Sequence, residues 1–255
     1  MGEIRGYSDD LLLHKGEKLS GILEVIVLTT LAGSTIPIGG FLAKIERIHP
    51  RWLEEEFRHS IIAFGGGVLL AAVALVLVPV GITEMHPLTA AGAILMGGIC
   101  FMFLDRMLEK HQNSASQMIA MLLDFIPESL ALGATFANGG SVGMLLAILI
   151  GLQNLPEGFN AYRELRTSET MKRHLILPGF CLLVLLGPLS GLIGYYLLSQ
   201  VPQLVGMTML FAAGGILYLT FQDIAPQAKL ARRWAPALGA VLGFVFGLIA
   251  QMVIA

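Results

Sequence analysis

Charge is scarce in this chain. Asp, Glu, Lys and Arg make up 13% of the 255 residues, where a soluble domain carries about 25%. Cysteine is nearly absent. Cys100 and Cys181 both lie in apolar runs, which excludes a disulfide framework and leads us to expect two small buried hydrophobes. There are six histidines (His14, His49, His59, His86, His111 and His174), and each stands near the end of an apolar run or in a polar connection. An imidazole metal site at the middle of a run is therefore not expected. The first residues include Glu3, Asp9 and Asp10 with no early apolar core, unlike a cleaved signal peptide. The net charge of −2 identifies no partner, and nucleic acid is not expected to be one.

What is present is apolar. Hydrophobic residues make up 55% of the chain and glycine contributes 30 residues, with a mean hydropathy of +0.76. Glycine in so apolar a chain suits close helix packing in a bilayer. A spanning helix needs about 20 predominantly apolar residues. Eight such runs stand near 20–43, 60–82, 88–108, 116–137, 142–163, 174–198, 203–224 and 235–255. The expected fold class is an all-α integral membrane protein with eight transmembrane helices.

Thirteen of the sixteen Lys and Arg fall in or beside the first, third, fifth and seventh connections, and none falls in the second, fourth or sixth. The positive-inside rule then makes the odd connections cytoplasmic and puts both termini outside. The expected location is the plasma (inner) membrane. The stretch "RWLEEEFRH" at 51–59 mixes signs and reads as a solvated cytoplasmic loop.

The chain repeats itself. "STIPIGGFLA" at 34–43 resembles "LLGPLSGLIG" at 185–194, and "FGGGVLLAAVALVLVP" at 64–79 resembles "FAAGGILYLTFQDIAP" at 211–226. Helices 1–3 therefore match helices 6–8. Because the two units enter from opposite sides, the repeat is inverted, as in many secondary transporters. The resulting 3+2+3 organisation has an outer tail at 1–18, a first repeat at 19–108, a central pair at 109–168 and a second repeat at 169–255.

The central pair carries the chemistry. "DFIPESLALG" at 124–133 and "QNLPEGFNAY" at 153–162 each set a Pro-Glu pair inside an apolar run. Asp124 and Glu128, and Gln153 and Glu157, are i, i+4 pairs, so each pair shares a helix face. An acid at the middle of a membrane helix costs roughly 2.5–3.5 kcal/mol, so three unpaired ones cost on the order of 8–10 kcal/mol. No Lys or Arg lies at matching depth, and the compensating charge must come from a bound cation or from protons. Pro127 and Pro156 remove the hydrogen bonds to the carbonyls of Leu123 and Leu152. Such backbone is tolerated at membrane depth where it lines a cavity or is buried in protein. The alternative is a pair of packing kinks with protonated carboxyls.

These residues resemble those of the ZIP (Zrt/Irt-like) family of divalent metal transporters. That family carries a His-Asn-x-Pro-Glu-Gly type motif in helix 4 and a related His/Gln-Asn/Asp-x-Pro-Glu-Gly motif in helix 5. Here they read Asp124-Phe125-Ile126-Pro127-Glu128-Ser129 and Gln153-Asn154-Leu155-Pro156-Glu157-Gly158. "FMFLDR" at 101–106 and "LYLTFQDIAPQA" at 217–228 resemble its short prokaryotic branch. The resemblance covers nearly the whole chain and implies eight helices, outside termini and inverted three-helix repeats. It also implies a metal site at Asp124, Glu128, Gln153 and Glu157, with Asn154 remaining from a second site.

The departures narrow this expectation. Asp124 replaces the usual His, Phe125 replaces the Asn that helps hold a second metal, and Gly187 stands near the position of a Glu that does the same. A single oxygen-lined site is implied. Oxygen donors suit Mn, Mg or Ca better than Zn, while Fe(II) and Zn stay open.

Asp105, Asp223, Glu46, His49 and His59 are candidates for an exit relay, of which Asp105 and Asp223 are the better two. Glu24, Glu84 and His86 are candidates for attracting cations outside. Each has the alternative of an ordinary solvated helix end.

The expected function is movement of a divalent cation (Mn, Fe, Zn or similar) toward the cytoplasm, with protons and metal competing for the site. The metal is the transported substrate and there is no prosthetic group. The expected partners are that cation and the lipid bilayer, with a homodimer left open. The alternatives are a proton-linked carrier of a small organic cation, and a degenerate family member that binds or senses metal without moving it. Enzyme activity is not expected, because no Ser-His or paired-Asp signature stands out.

Overall fold

The computed structural model describes residues 2–46, 51–83, 85–110, 116–136, 141–167, 172–229 and 234–254. Among these the chain is helical throughout, without strands. We number eight rods. α1 is Gly2–Ile45 and α2 is 51–81; α2 is built of Arg51–Ala72, a π-turn at Val73–Leu77 and a last turn at Val78–Gly81. α3 is Pro87–Lys110, α4 Ser116–Phe136 and α5 Ser141–Thr167. α6 is 173–198, interrupted at Val184 and Leu185 and ending in the π-turn Gly194–Leu198. α7 is 202–228 with a π-turn at Thr220–Ile224, and α8 is Ala235–Ile254.

All but α4 contain a stretch long and apolar enough to cross a membrane, giving seven such helices among the described residues. At 21 residues, α4 also has the length of a span. Its core is enclosed: Phe125, Glu128, Ser129, Ala131, Leu132 and Ala134 are fully buried. By contrast α3 and α8 turn Leu95, Met96, Phe103, Leu238, Phe246 and Met252 outward. This is the arrangement of a multi-pass membrane protein, with apolar side chains meeting hydrocarbon and the polar groups inside.

Two expectations need correction. Cys100 and Cys181 are free but exposed on outward faces, not buried; beside lipid, a small thiol gains little from enclosure. "RWLEEEFRH" is no loop, because α2 begins at Arg51, with Glu54 in its first turn where acids are favoured. The first span, Leu19–Ile45, lies where the sequence placed it, within a helix that starts at Gly2.

The helices pair closely. α1 packs on α5, α4 on α6, α2 on α8 and α3 on α7. Without a hydrophobic drive between helices in lipid, close backbone approach supplies the packing energy. At the α1–α5 crossing a Cβ added at Gly39 would strike the carbonyl oxygen of Leu155, and one at Gly158 would strike that of Ile36. The prolines explain two of the π-turns. Val73–Leu77 lies between Phe64 and Pro79, and Thr220–Ile224 lies between Phe211 and Pro226 at the same spacings. A proline offers no N–H to the carbonyl four residues back, and a widened turn accommodates the loss.

Candidate metal centre

α4 and α5 run as continuous helices through Pro127 and Pro156. Their contact brings the two polar pairs together. Gln153 Nε2 donates to Glu128 Oε2 at 2.6 Å, and both residues are fully buried. Asp124 is buried on the same face of α4, one turn before Glu128. It lies within electrostatic reach of both Glu128 and Asp223, and Glu157 lies within reach of Asp124 and Glu128. Gln153 and Glu128 thus meet across α4 and α5, with Asp124 and Glu157 within electrostatic reach.

The defining feature of the site is unanswered oxygen. Asp124 Oδ1, Glu128 Oε1, Gln153 Oε1, Asn154 Oδ1 and Glu157 Oε2 are all buried without a hydrogen-bond partner. Leaving a buried acceptor unsatisfied costs about 1–3 kcal/mol, and more for a charged one. Among the described residues no Lys or Arg forms an ion pair with these carboxylates. Such a set accepts hard cations or protons; it offers nothing to an anion.

The cage is not closed. Among the described residues no three His, Cys, Asp or Glu side chains stand close enough together to form a ready-made metal cluster. Glu128 is turned toward the amide of Gln153 instead. An amide offers N–H on one side and oxygen on the other. A half-turn about its last bond takes Gln153 from donor to Glu128 to ligand for a cation.

Asn154 points elsewhere. Its Nδ2 donates 3.2 Å to the carbonyl of Ala32 on α1, next to the Gly33 carbonyl that Pro37 leaves without its helical donor. The residue ties α5 to α1. Phe125, on α4 next to Asp124, is fully buried. Its ring reaches α1 and α6, where a Cβ at Gly33 or Gly187 would lie 2.9 or 2.8 Å from its Cζ.

The relay candidates part company. Asp223 sits on the π-turn of α7, within electrostatic range of Asp124. Asp105 on α3 accepts a hydrogen bond from the Tyr218 hydroxyl at 2.8 Å. Glu46 meets Arg163 at 2.5 Å, and the same guanidinium meets Glu54 at 2.6 Å. His59 places Nδ1 2.6 Å from the carbonyl oxygen of Glu55. Of the outer candidates, Glu24 is exposed and accepts from Ser20 Oγ at 2.9 Å. His86 is exposed and accepts from the Leu88 N–H at 3.3 Å. His49 and Glu84 lie outside the described residues.

Sequence reasoning missed Ser129 and Thr220, buried hydroxyls whose oxygens have no partner. A serine or threonine in an apolar run carries no pattern of its own. It also missed the Arg163 bridge, which joins three helices across loops.

No family model matches the chain, and no curated protein matches it.

Proposed function

We propose that the chain is a membrane transporter that moves a divalent cation toward the cytoplasm through a single oxygen-lined site between α4 and α5. The observation that carries this reading is the set of buried, unpartnered oxygens from Asp124, Glu128, Gln153 and Glu157, which no Lys or Arg among the described residues answers. A divalent ion neutralises two of the three carboxylate charges and satisfies several oxygens at once. Mn, Fe or Zn, or a similar ion, is the cargo.

The helix pairing supports a 3+2+3 arrangement with inverted repeats. Exchanging α1 with α6, α2 with α7, α3 with α8 and α4 with α5 turns the α1–α5 contact into α6–α4, and α2–α8 into α7–α3. All four contacts are present. The matched π-turns of α2 and α7 obey the same exchange. Transporters built on such repeats hold substrate near the midplane. Membership of the ZIP family is part of this proposal and rests on the Pro-Glu motifs. So are the plasma membrane location and the outside termini, which rest on the distribution of Lys and Arg.

A second reading, a member that binds metal without moving it, is favoured by one observation: the Phe125 ring fills the space between Gly33 and Gly187 and wedges α4 against α1 and α6. Metal uptake into proteoliposomes separates the two. The wild type is expected to accumulate Mn, Fe or Zn, and Glu157→Ala and Asp124→Ala are expected to lose uptake. Uptake that ignores both substitutions overturns the site. Metal binding without uptake selects the second reading.

A further inference from the structure

A feature unrelated to the acids lies at the end of the bundle where α2 and α8 begin and α5 and α7 finish. Two cavities there share a lining residue. One, of about 480 Å³, opens between α2, α7 and α8 and is lined mainly by apolar side chains, among them Leu70, Phe221, Ile224 and Trp234. The other, of about 460 Å³, is polar and is lined by Arg58, His59, Asn160, Arg163, Glu164 and Lys229, among others. Lys229 lines both.

Their charges are unequal in availability. Arg163 is held by Glu46 and Glu54, and Glu164 has an interaction of its own. Arg58 and Lys229 are exposed and form no ion pair among the described residues. The polar cavity therefore presents two uncommitted cations, and the cavity sharing Lys229 presents hydrocarbon. A small anion would use only the first and an uncharged lipid only the second. Trp234, 82% exposed at the start of α8, has the placement of a residue anchored at a membrane interface.

We propose that the two cavities together bind an anionic phospholipid, with its phosphate headgroup between Arg58 and Lys229 and one acyl chain along the apolar cavity. Basic pockets between membrane helices hold headgroups in this way. The proposal rests on the multi-pass reading of the chain and is independent of cation transport.

Trp234 lines the apolar cavity and reports its contents. On a Trp52→Phe background, the protein is reconstituted with phosphatidylglycerol or phosphatidylcholine carrying brominated acyl chains, which quench tryptophan on contact. Brominated phosphatidylglycerol is expected to quench Trp234 at a lower mole fraction. The advantage should fall roughly fivefold for each of Arg58→Gln and Lys229→Gln. Retained helical circular dichroism and an unchanged elution volume show that the variants fold. Equal quenching by the two lipids overturns the proposal, as does a preference that survives the double substitution. Erasure of the preference by inorganic phosphate, but not by chloride at equal ionic strength, overturns the lipid assignment in favour of a free anion.

Discussion

The ring of Phe125 on α4 stands directly over Gly187 on α6, where an added Cβ would lie 2.8 Å from its Cζ and 2.8 Å from the Thr29 carbonyl oxygen. Each residue makes room for the other. Gly187→Ala is therefore expected to destabilise the protein, since rigid backbone on one side and a buried ring on the other leave no slack; overpacking of this kind costs about 1–3 kcal/mol. Gly151→Ala on α5 provides the control, because its Cβ would meet only Thr35 and Ala32 atoms at 3.7 and 3.8 Å. That change should be neutral or slightly stabilising, as alanine is the better helix former. Thermal unfolding of the two variants in detergent checks the contrast, and equal melting temperatures would sink it.

The Gln153–Glu128 hydrogen bond predicts how the site responds to metal. Gln153→Glu places a second carboxylate beside Glu128, so the metal-free protein should lose stability. Bound cation should then restore more than it does in the wild type. A ligand at a hundred times its Kd stabilises by about 2.7 kcal/mol, and the variant's metal-induced rise in melting temperature should exceed the wild type's. An equal or smaller rise would contradict the placement of residue 153 at the cation.

Protons and metal are expected to compete. Carboxylates must be deprotonated to ligate, so binding releases protons and affinity falls as pH falls. Titration of Mn or Zn binding between pH 8 and 5 should show progressive weakening, with proton release detectable in a weakly buffered solution. A flat profile would count against a carboxylate site.

Arg163 holds α1, α2 and α5 together at one end. The Glu46 side chain is 9% exposed, Glu54 33% and Arg163 25%, so this network lies between a surface pair and a fully buried one. Arg163→Gln is expected to cost about 1–3 kcal/mol, chiefly by leaving Glu46 without its cation. Glu46→Gln added to that variant should recover part of the loss. A double-mutant cycle in unfolding free energy measures the coupling, and additive losses would mean that the pair contributes nothing.

Much of the molecule was legible in one dimension. Seven of the eight apolar runs coincide with helices long and apolar enough to cross a membrane, because a bilayer admits only helices long enough to cross it and exposes their composition directly. The i, i+4 spacing put Asp124 with Glu128 and Gln153 with Glu157, because helical periodicity alone decides which side chains share a face.

What lay beyond the sequence was everything set by contact between helices. That Glu128 faces Gln153, that Asp223 comes within electrostatic range of Asp124 while Asp105 turns to Tyr218, and that Asn154 ties α5 to α1 all depend on how five rods cross. Phe125 and Gly187 could be named as departures, but only packing makes them one fit. The sequence determined which groups lie within apolar helices; the tertiary structure decided which of them are buried and which meet, because contact between helices depends on their rotation and crossing, which no single helix encodes.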